Sequence, residues 1–290
     1  MKSHRLAVLA SVLLWAANVA AQGFDRREDI VYGRKDGMAL TMDVFKPKAG
    51  ANGAGVIWVV SGGFFSSHDS IRPGLLAEFL RRGYTVFAVV HGSQPRFAIP
   101  DAAADVDEAV GYIRSHAKGF GVDPERLGIT GGSAGAHLAL MQGTAGKARV
   151  KAVACFFPPT DFLNYGRPGN VNLGTGLLSP FKAAFEFKER DARSGRLVPV
   201  TAPERVLEIA RSVSPAQRVT ERAAPALIIH GDADKLVPIQ QSFLMVAKLK
   251  EAGVPARLIV KRKAGHGWKG FDSDMKLIAD WFDLYLGRRS

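Results

Sequence analysis

Short apolar segments alternate with segments of helical periodicity along most of this chain of 290 residues. The apolar segments have the length of strands and include Gly55–Val60 and residues 84–90, whereas residues 101–118 repeat their apolar side chains at helical spacing. Strands that are apolar on both faces belong in a parallel sheet that helices cover on both sides. The pattern therefore predicts an α/β domain with a mostly parallel central sheet.

The other predicted elements follow from the same periodicities and from the glycines and prolines between them. A hairpin is predicted over residues 29–35 and 39–45, turning at Asp36-Gly37. Further strands are predicted over residues 126–130, 150–157, 226–229 and 256–260, and further helices over residues 71–82, 134–142, 240–252 and 273–286.

Residues 131–135 read Gly-Gly-Ser-Ala-Gly, and they join a predicted strand to a predicted helix. On such a strand-to-helix turn the backbone is so crowded that the residues two before and two after the serine must lack side chains. The turn exposes the hydroxyl of Ser133 at the edge of the sheet. The helix N-terminus behind it offers free amides and a dipole that favour a developing negative charge. Ser133 is therefore a candidate nucleophile.

The first 21 residues resemble a removable export signal. Lys2 and Arg5 precede a short apolar run over residues 6–15, and small residues follow it up to Ala21. That run is too short to span a bilayer, and no later segment offers about 18 uninterrupted apolar residues. We therefore predict cleavage after Ala21, a secreted or periplasmic protein, and a single domain over residues 22–290 without stable membrane insertion. A retained N-terminal anchor is the alternative.

The chain is basic, with 39 Lys and Arg against 27 Asp and Glu and a net charge of +12. Its basic residues are scattered, without zinc-ligand spacing or a helix-turn-helix signature, so we expect no nucleic-acid partner. The charge suits surface solubility or attraction to an acidic polysaccharide. The single cysteine, Cys155, excludes an intramolecular disulfide, and its apolar neighbours favour a buried hydrophobic role over a nucleophilic one.

A nucleophilic serine needs a base, and the base needs an orienting carboxylate. The usual chain order for a serine on this kind of turn is serine, acid, histidine, which excludes the histidines before Ser133. His137 follows Ser133 by four residues and should pack beneath the turn, and His230 ends a strand where we expect structural hydrogen bonds. His266 lies in a glycine-flanked loop after the last strand and is the candidate base.

Two aspartates compete for the role of the acid. Asp232 and Asp234 both follow directly on the predicted strand 226–229. The sequence pattern leaves the choice open, although Asp232 could instead fix its own turn by bonding the local backbone.

Three motifs carry a resemblance to a known superfamily: Gly-x-Ser-Ala-Gly at residues 131–135, His-Gly-x-x-Asp-x-x-Val-Pro at 230–238 and Gly-His-Gly at 265–267. In this order they resemble the α/β-hydrolase superfamily. Residues 99–114 and 121–124 add a likeness to its secreted esterase branch of bacterial feruloyl and acetylxylan esterases, the BD-FAE type. The resemblance covers nearly all of residues 22–290. It implies the α/β-hydrolase fold, and it selects Asp234 as the acid that serves His266.

One motif of that family is altered here. The family usually carries His-Gly-Gly-Gly after its third strand, whose amides bind an oxyanion. Residues 60–65 read Val-Ser-Gly-Gly-Phe-Phe instead, without the histidine and with one glycine fewer. Depending on the alignment, the donors are the amides of Gly63 and Phe64 or those of Gly62 and Gly63. The amide of Ala134 completes the expected oxyanion hole.

Residues 158–215 interrupt the alternating pattern, being rich in Gly, Pro, Phe and charge without a clean period. A long irregular stretch is usually functional. It should leave the sheet beside Ser133, so we predict a small, irregular cap over the site. Aromatic residues that could line a pocket there, with core packing as the alternative, are Phe64, Phe65, Phe156, Phe157, Phe162, Phe181, Phe185 and Trp268.

The resemblance implies a serine esterase that needs no metal or organic cofactor. It would cleave short-chain or plant-cell-wall esters, such as acetyl or feruloyl esters, presented as small molecules or on a polysaccharide. A serine peptidase with the same three residues is one alternative, although such enzymes usually carry an additional recognition domain. A catalytically silent binding protein on the same fold is the other.

Overall fold

The computed structural model describes residues 23–144 and 149–287. The predicted export signal and its cleavage site after Ala21 therefore lie outside the described residues. Within those two ranges, no helix combines the length and the apolar character that crossing a bilayer requires.

An eight-stranded sheet of order β1-β2-β4-β3-β5-β6-β9-β10 carries the fold. The hairpin of β1 and β2 turns at Asp36-Gly37, as predicted. The pairs β1–β2 and β2–β4 are antiparallel, and the other neighbouring pairs of this sheet are parallel. The predicted mostly parallel sheet is therefore confirmed. The strands are β1 (Phe24–Lys35), β2 (Met38–Pro47), β3 (Gly55–Val60), β4 (Thr85–Val90), β5 (Leu127–Gly132), β6 (Ala152–Phe156), β9 (Ala226–Gly231) and β10 (Ala256–Lys261).

Helices cover both faces of the sheet, because its central strands are apolar on both sides. The helices are α1 (Pro73–Arg81), α2 (Ile99–Ser115), α3 (Ala117–Phe120), α4 (Ala134–Gly143), α5 (Pro203–Ser212), α6 (Gln240–Glu251) and α7 (Met275–Leu286). Side chains of α1 and α7 share one hydrophobic core with one face, and those of α2, α4 and α6 share a second core with the other. Every residue of α4 is buried, which explains its small and apolar composition.

The helix predicted over residues 101–118 is wrong at its C-terminal end. Helix α2 stops at Ser115, because His116 takes a non-helical backbone conformation with φ −106° and ψ 9°. The imidazole of His116 stacks on Tyr112 with ring centroids 4.0 Å apart. The short helix α3 then ends at Phe120 and is capped by Gly121, which adopts the left-handed φ of 73° that glycine tolerates best.

The insertion over residues 158–215 has more regular structure than its sequence suggested. It contains a 3₁₀ segment, Gly176–Phe185, the hairpin β7 (Lys188–Arg190) and β8 (Leu197–Pro199), and helix α5. The backbone of Gly176–Phe185 is kinked at Phe181, directly after Pro180, and this break hides the helical period from sequence analysis. The insertion is anchored by Phe162 and Phe185, which are buried in the core beneath it.

Candidate active site

Ser133 occupies a sterically forced turn between β5 and α4. Its φ of 53° and ψ of −118° are unusual for a residue with a side chain. A Cβ on Gly131 would lie 2.6 Å from the backbone carbon of Gly135, and a Cβ on Gly135 would lie 2.6 Å from the carbonyl oxygen of Val59. Both glycines of the motif are therefore required by the close approach of backbone segments. This crowding holds Ser133 at the carboxyl edge of the sheet.

The structure brings Ser133, His266 and Asp234 into one hydrogen-bonded row. The Oγ of Ser133 lies 3.0 Å from Nε2 of His266, and Nδ1 of His266 lies 2.7 Å from Oδ2 of Asp234. Because the carboxylate can only accept, Nδ1 carries the proton of the neutral ring and Nε2 is left to accept from the serine hydroxyl. The side chain of His266 is about one quarter exposed, whereas that of Asp234 is completely buried.

The carboxylate of Asp234 is held on both of its oxygens. Its Oδ1 accepts hydrogen bonds from the amides of Leu236 and Val237, each at 2.9 Å. Its Oδ2 lies 2.7 Å from His266 and 3.3 Å from Nε2 of His230. Burial opposes ionisation of this carboxyl, but the hydrogen bonds from His230, His266 and Val237 outweigh it and hold its pKa well below its ordinary value. Asp234 therefore stays ionised at neutral pH.

The other aspartate, Asp232, does not fix its own turn as its sequence position suggested. Its Oδ1 accepts a hydrogen bond from the amide of Lys263 at 2.5 Å, and its Oδ2 lies 3.4 Å from Nε of Arg262. The side chain thus bridges to the loop after β10, because the ends of neighbouring parallel strands meet at this edge. The local turn is instead bonded by Asp234.

The two neighbouring histidines have structural surroundings, as predicted. Nδ1 of His137 donates to the carbonyl oxygen of Pro159 at 3.0 Å, and the ring lies completely buried beneath the turn. The imidazole of His230 lies 2.6 Å from Oγ of Ser242 and donates from Nε2 to the carbonyl oxygen of Val237 at 2.9 Å. Burial lowers the pKa of His137 to about 4, so this ring is neutral near pH 7.

The loop that carries His266 is fixed from the side by aromatic residues. The ring of Phe157 lies 4.5 Å from that of His266, measured between centroids. The indole Nε1 of Trp268 donates to Oδ2 of Asp274 at 2.7 Å, and Lys261 binds the other oxygen of that carboxylate.

The aromatic residues named as possible pocket-lining residues differ in burial. Core packing, the alternative given for them, holds for the five that are buried: Phe64, Phe156, Phe157, Phe162 and Phe185. Phe65, Phe181 and Trp268 are partly or largely exposed.

The loop after β3 forms a tight turn whose hydrogen bonds distinguish its amides. Gly62 donates to the carbonyl oxygen of Phe65 at 2.9 Å and accepts from the Phe65 amide at 2.9 Å. The two residues between them, Gly63 and Phe64, both have positive φ, 56° and 64°. Positive φ at both central residues is typical of a two-residue hairpin turn, whose hydrogen bonds here join only the flanking residues Gly62 and Phe65. In the part of the chain that the structure describes, the amides of Gly63 and Phe64 have no protein acceptor, whereas that of Gly62 is engaged.

Among residues 23–144 and 149–287, ligand atoms suited to a metal ion cluster at Asp29, Asp43 and His68, within 4.8 Å of one another. Arg26 donates from Nε and Nη2 to Oδ2 of Asp43, at 2.9 and 2.5 Å. Both ring nitrogens of His68 lie within 3.3 Å of these two carboxylates. The guanidinium of Arg26 thus supplies the positive charge that a cation would bring, and we interpret the cluster as an ion-pair network that ties the β1–β2 hairpin to the loop after β3.

Comparison with solved structures identifies the fold. A truncated carbohydrate esterase from gut microbiota superposes with a TM-score of 0.74, covering 92% of this chain and 99% of that chain at 23% identity. Esterase 2 of Thermogutta terrifontis superposes with a TM-score of 0.69, covering 93% of this chain and 97% of that chain at 22% identity. The chain therefore has the α/β-hydrolase fold, with the mostly parallel eight-stranded sheet described above.

Comparison of sequences identifies the family. The BD-FAE family model matches residues 42–249, and the chain belongs to that family. Esterase LipQ of Mycobacterium tuberculosis is 27% identical over 242 residues, which cover 78% of this chain and 53% of LipQ. The chain therefore spans about half the length of that relative.

Proposed function

We propose that this chain is a serine ester hydrolase in which Ser133 is the nucleophile, His266 the general base and Asp234 the orienting acid. The observation that carries the proposal is the row of two hydrogen bonds, 3.0 Å from Ser133 Oγ to His266 Nε2 and 2.7 Å from His266 Nδ1 to Asp234 Oδ2. The family membership and the relatives named esterases support the same activity.

In the proposed reaction, Oγ of Ser133 attacks the ester carbonyl carbon while Nε2 of His266 takes the hydroxyl proton. The resulting imidazolium is stabilised by the carboxylate of Asp234, whose pKa is held well below its ordinary value by the hydrogen bonds that it accepts. When the tetrahedral intermediate collapses, His266 returns the proton to the leaving alcohol and an acyl-enzyme remains. A water molecule then repeats the sequence, with His266 again as base, and releases the acid.

We further propose that the oxyanion is received by the amides of Gly63, Phe64 and Ala134. The first two are free of protein acceptors among the described residues, and the third opens helix α4 directly after the nucleophile. The engaged amide of Gly62 speaks against the alternative pairing of Gly62 with Gly63. No step of this mechanism draws on a metal or an organic cofactor.

For the substrate we propose short-chain or plant-cell-wall acyl esters, such as acetyl or feruloyl esters. Ethyl acetate hydrolase of Pseudomonas putida is 26% identical over 246 residues, covering 80% of this chain and 72% of that protein. The cap supports a small acyl site, because Phe181 lies directly against the turn that carries Gly63. We propose that the protein acts after export to the periplasm or the medium, on the basis of the signal-like residues 1–21.

The test of this function is turnover of p-nitrophenyl acetate by the purified protein, together with labelling by a fluorophosphonate. We expect the label on Ser133, and loss of both turnover and labelling in Ser133→Ala. Labelling on another serine, or unchanged turnover in Ser133→Ala, would contradict the assignment. An unreactive Ser133 with no turnover of any ester would favour the silent binding protein instead.

The peptidase alternative is tested in the same preparation. A relative named "Uncharacterized peptidase YtmA", from Bacillus subtilis, is 26% identical over 195 residues, covering 67% of this chain and 68% of that protein. We expect p-nitrophenyl acetate to be cleaved and aminoacyl p-nitroanilides to be left intact, because the family and the relatives named esterases favour an ester substrate. The reverse preference would make the protein a peptidase while keeping its nucleophile.

A further inference from the structure

The turn at residues 62–65 presents its two free amides in directions that its carbonyl groups determine. A peptide unit is planar and trans, so the N–H of one residue points opposite to the C=O of the residue before it. The carbonyl of Gly62 therefore sets the direction of the Gly63 amide, and the carbonyl of Gly63 sets that of the Phe64 amide. The first of these carbonyls is fixed within the turn, where it accepts from Phe65 at 2.9 Å.

The second carbonyl is held by a residue from another segment. Nε2 of Gln94 donates to the carbonyl oxygen of Gly63 at 2.5 Å, and the backbone amide of Gln94 donates to the carbonyl oxygen of Phe64 at 3.3 Å. Gln94 follows β4 in the chain, and it is buried with only 5% of its surface exposed. It thus contacts two successive peptide units of the turn. In the first, the carbonyl that Gln94 binds lies opposite the free amide of Phe64, and in the second the amide, that of Phe65, is engaged within the turn.

Resting on the proposed function, we propose that Gln94 is a positioning residue for the oxyanion hole. By fixing the carbonyl of Gly63 it aims the Phe64 amide at the place where the substrate carbonyl oxygen becomes negative. Gln94 itself does not touch the substrate. Such preorganisation lets the donors act without reorienting during the reaction.

The segment that carries Gln94 is tied to the same loop by a second set of bonds. The amide of Ser66 donates to Oγ of Ser93 at 2.7 Å, and that hydroxyl donates to the carbonyl oxygen of Ser66 at 2.8 Å. Oγ of Ser61 lies 2.8 Å from Nε2 of His91. These hydrogen bonds hold the loop after β3 and the loop after β4 against each other. They therefore keep the side chain of Gln94 within hydrogen-bond distance of the Gly63 carbonyl oxygen.

The conformation of Phe64 makes such support necessary. A φ of 64° is strained for a phenylalanine, and the surroundings must hold it. Its ring is buried against His137 of helix α4, at 5.5 Å, and Phe185 of the cap, at 6.3 Å between centroids. The ring of Phe64 is held by this packing, and its carbonyl oxygen accepts from the backbone amide of Gln94. Among the described residues, the N–H of Phe64 therefore has no protein acceptor and is available to a ligand.

The decisive variant is Gln94→Met, which keeps the length of the side chain and removes the donor. We expect kcat for p-nitrophenyl acetate to fall about tenfold to hundredfold with KM within twofold, because an oxyanion donor acts mainly in the transition state. A trifluoromethyl ketone, which forms an oxyanion on Ser133, should bind more weakly by a similar factor. The matched methyl ketone, which forms no adduct, should bind as before.

Two further variants keep this test decisive. Gln142→Met alters another buried glutamine, at the far end of α4, and should leave kcat unchanged. Gln94→Glu retains the shape of the side chain and places an acceptor against the Gly63 carbonyl oxygen, so it should lower kcat as well. If thermal melting shows that Gln94→Met is unfolded, Gln94→Glu takes its place in the test.

The outcomes separate this proposal from the esterase assignment. If the wild type is active and the Gln94 variants keep kcat within twofold, or lose affinity equally for both ketones, the positioning role is refuted. The role is refuted equally if Gln142→Met loses as much activity as Gln94→Met. An inactive wild type would refute the proposed function itself.

Discussion

The phenyl ring of Phe181 lies directly over Gly63. A Cβ built on Gly63 would stand 2.3 Å from Cε1 of that ring, so the cap and the turn after β3 are in close contact at the candidate oxyanion site. The two residues belong to segments more than 100 positions apart in the sequence. In the proposed site, this contact would limit the space beside the carbonyl group of a bound ester.

Phe181→Ala should therefore widen the range of acyl groups. Removing the ring opens space next to Gly63, and each additional methylene that finds an apolar contact is worth about 1–3 kcal/mol in discrimination. We expect the ratio of kcat/KM for p-nitrophenyl hexanoate to that for the acetate to rise at least about fivefold. Leu177→Ala, an exposed position on the same cap segment, is the control. An unchanged ratio in Phe181→Ala would place the acyl group elsewhere.

Asp234→Asn should lower kcat by about 10⁴ while the protein stays folded. The amides of Leu236 and Val237 will hold the oxygen of the new side chain, which turns its NH₂ group toward Nδ1 of His266. The imidazole must then carry its proton on Nε2, where it cannot accept from Ser133. In Asp232→Asn the oxygen can still accept from Lys263, so we expect kcat within a few-fold of wild type. Steady-state kinetics that rank the two variants the other way would reassign the acid.

Gly135→Ala should destabilise the protein although alanine is the better helix former. The new Cβ would stand 2.6 Å from the carbonyl oxygen of Val59, a backbone atom that cannot rotate away. Overpacking of this kind costs about 1–3 kcal/mol. Gly74→Ala is the matched control, because nothing lies within 4 Å of its Cβ and it sits exposed in α1. Urea unfolding of both variants measures the difference, and an unaffected Gly135→Ala would mean that the turn yields.

The stability of the wild type should fall as the pH drops from about 7 to 5. Burial lowers the pKa of His137 from 6.5 to about 4, and it also lowers that of His91. In this window the unfolded chain takes up a proton at His137 that the folded chain does not, so acid favours unfolding. The contribution of His137 between pH 7 and 5 is about 2 kcal/mol.

His137→Leu removes that contribution, so its free energy of unfolding should change less with pH than that of the wild type. Urea unfolding at pH 7 and pH 5 gives the comparison. The contribution of His91 remains in both proteins, and Asp234 titrates well below this window. Equal pH dependence in the two proteins would show that His137 takes up its proton without unfolding.

Two helical segments, at residues 101–118 and 176–185, differ from what the sequence predicted. The period over residues 101–118 continues past Ser115, but the structure breaks the helix at His116, whose ring stacks on Tyr112. In Gly176–Phe185 the kink after Pro180 hides a helical segment that packing against the turn at Gly63 supports. In the first case the structure ends a period that the sequence continues, and in the second a kink obscures a helical period that the structure contains.

Outside residues 158–215, the sequence by itself indicated the order of the strands and the main helices, and it indicated the turn at Ser133 and the candidate histidine. Apolar periodicity and the steric need for glycine at positions 131 and 135 depend on residues that are close together in the sequence, so they can be recognised from the sequence alone. The family resemblance already favoured Asp234 as the partner of His266, but only the tertiary structure decided that Asp232 bridges to Lys263 and that the amide of Gly62 is engaged. Only there does Gln94 meet the carbonyl of Gly63, since residues 31 positions apart become partners through the pairing of β3 with β4. Which donor faces which acceptor depends on how separate segments pack, and that information is spread over the whole chain.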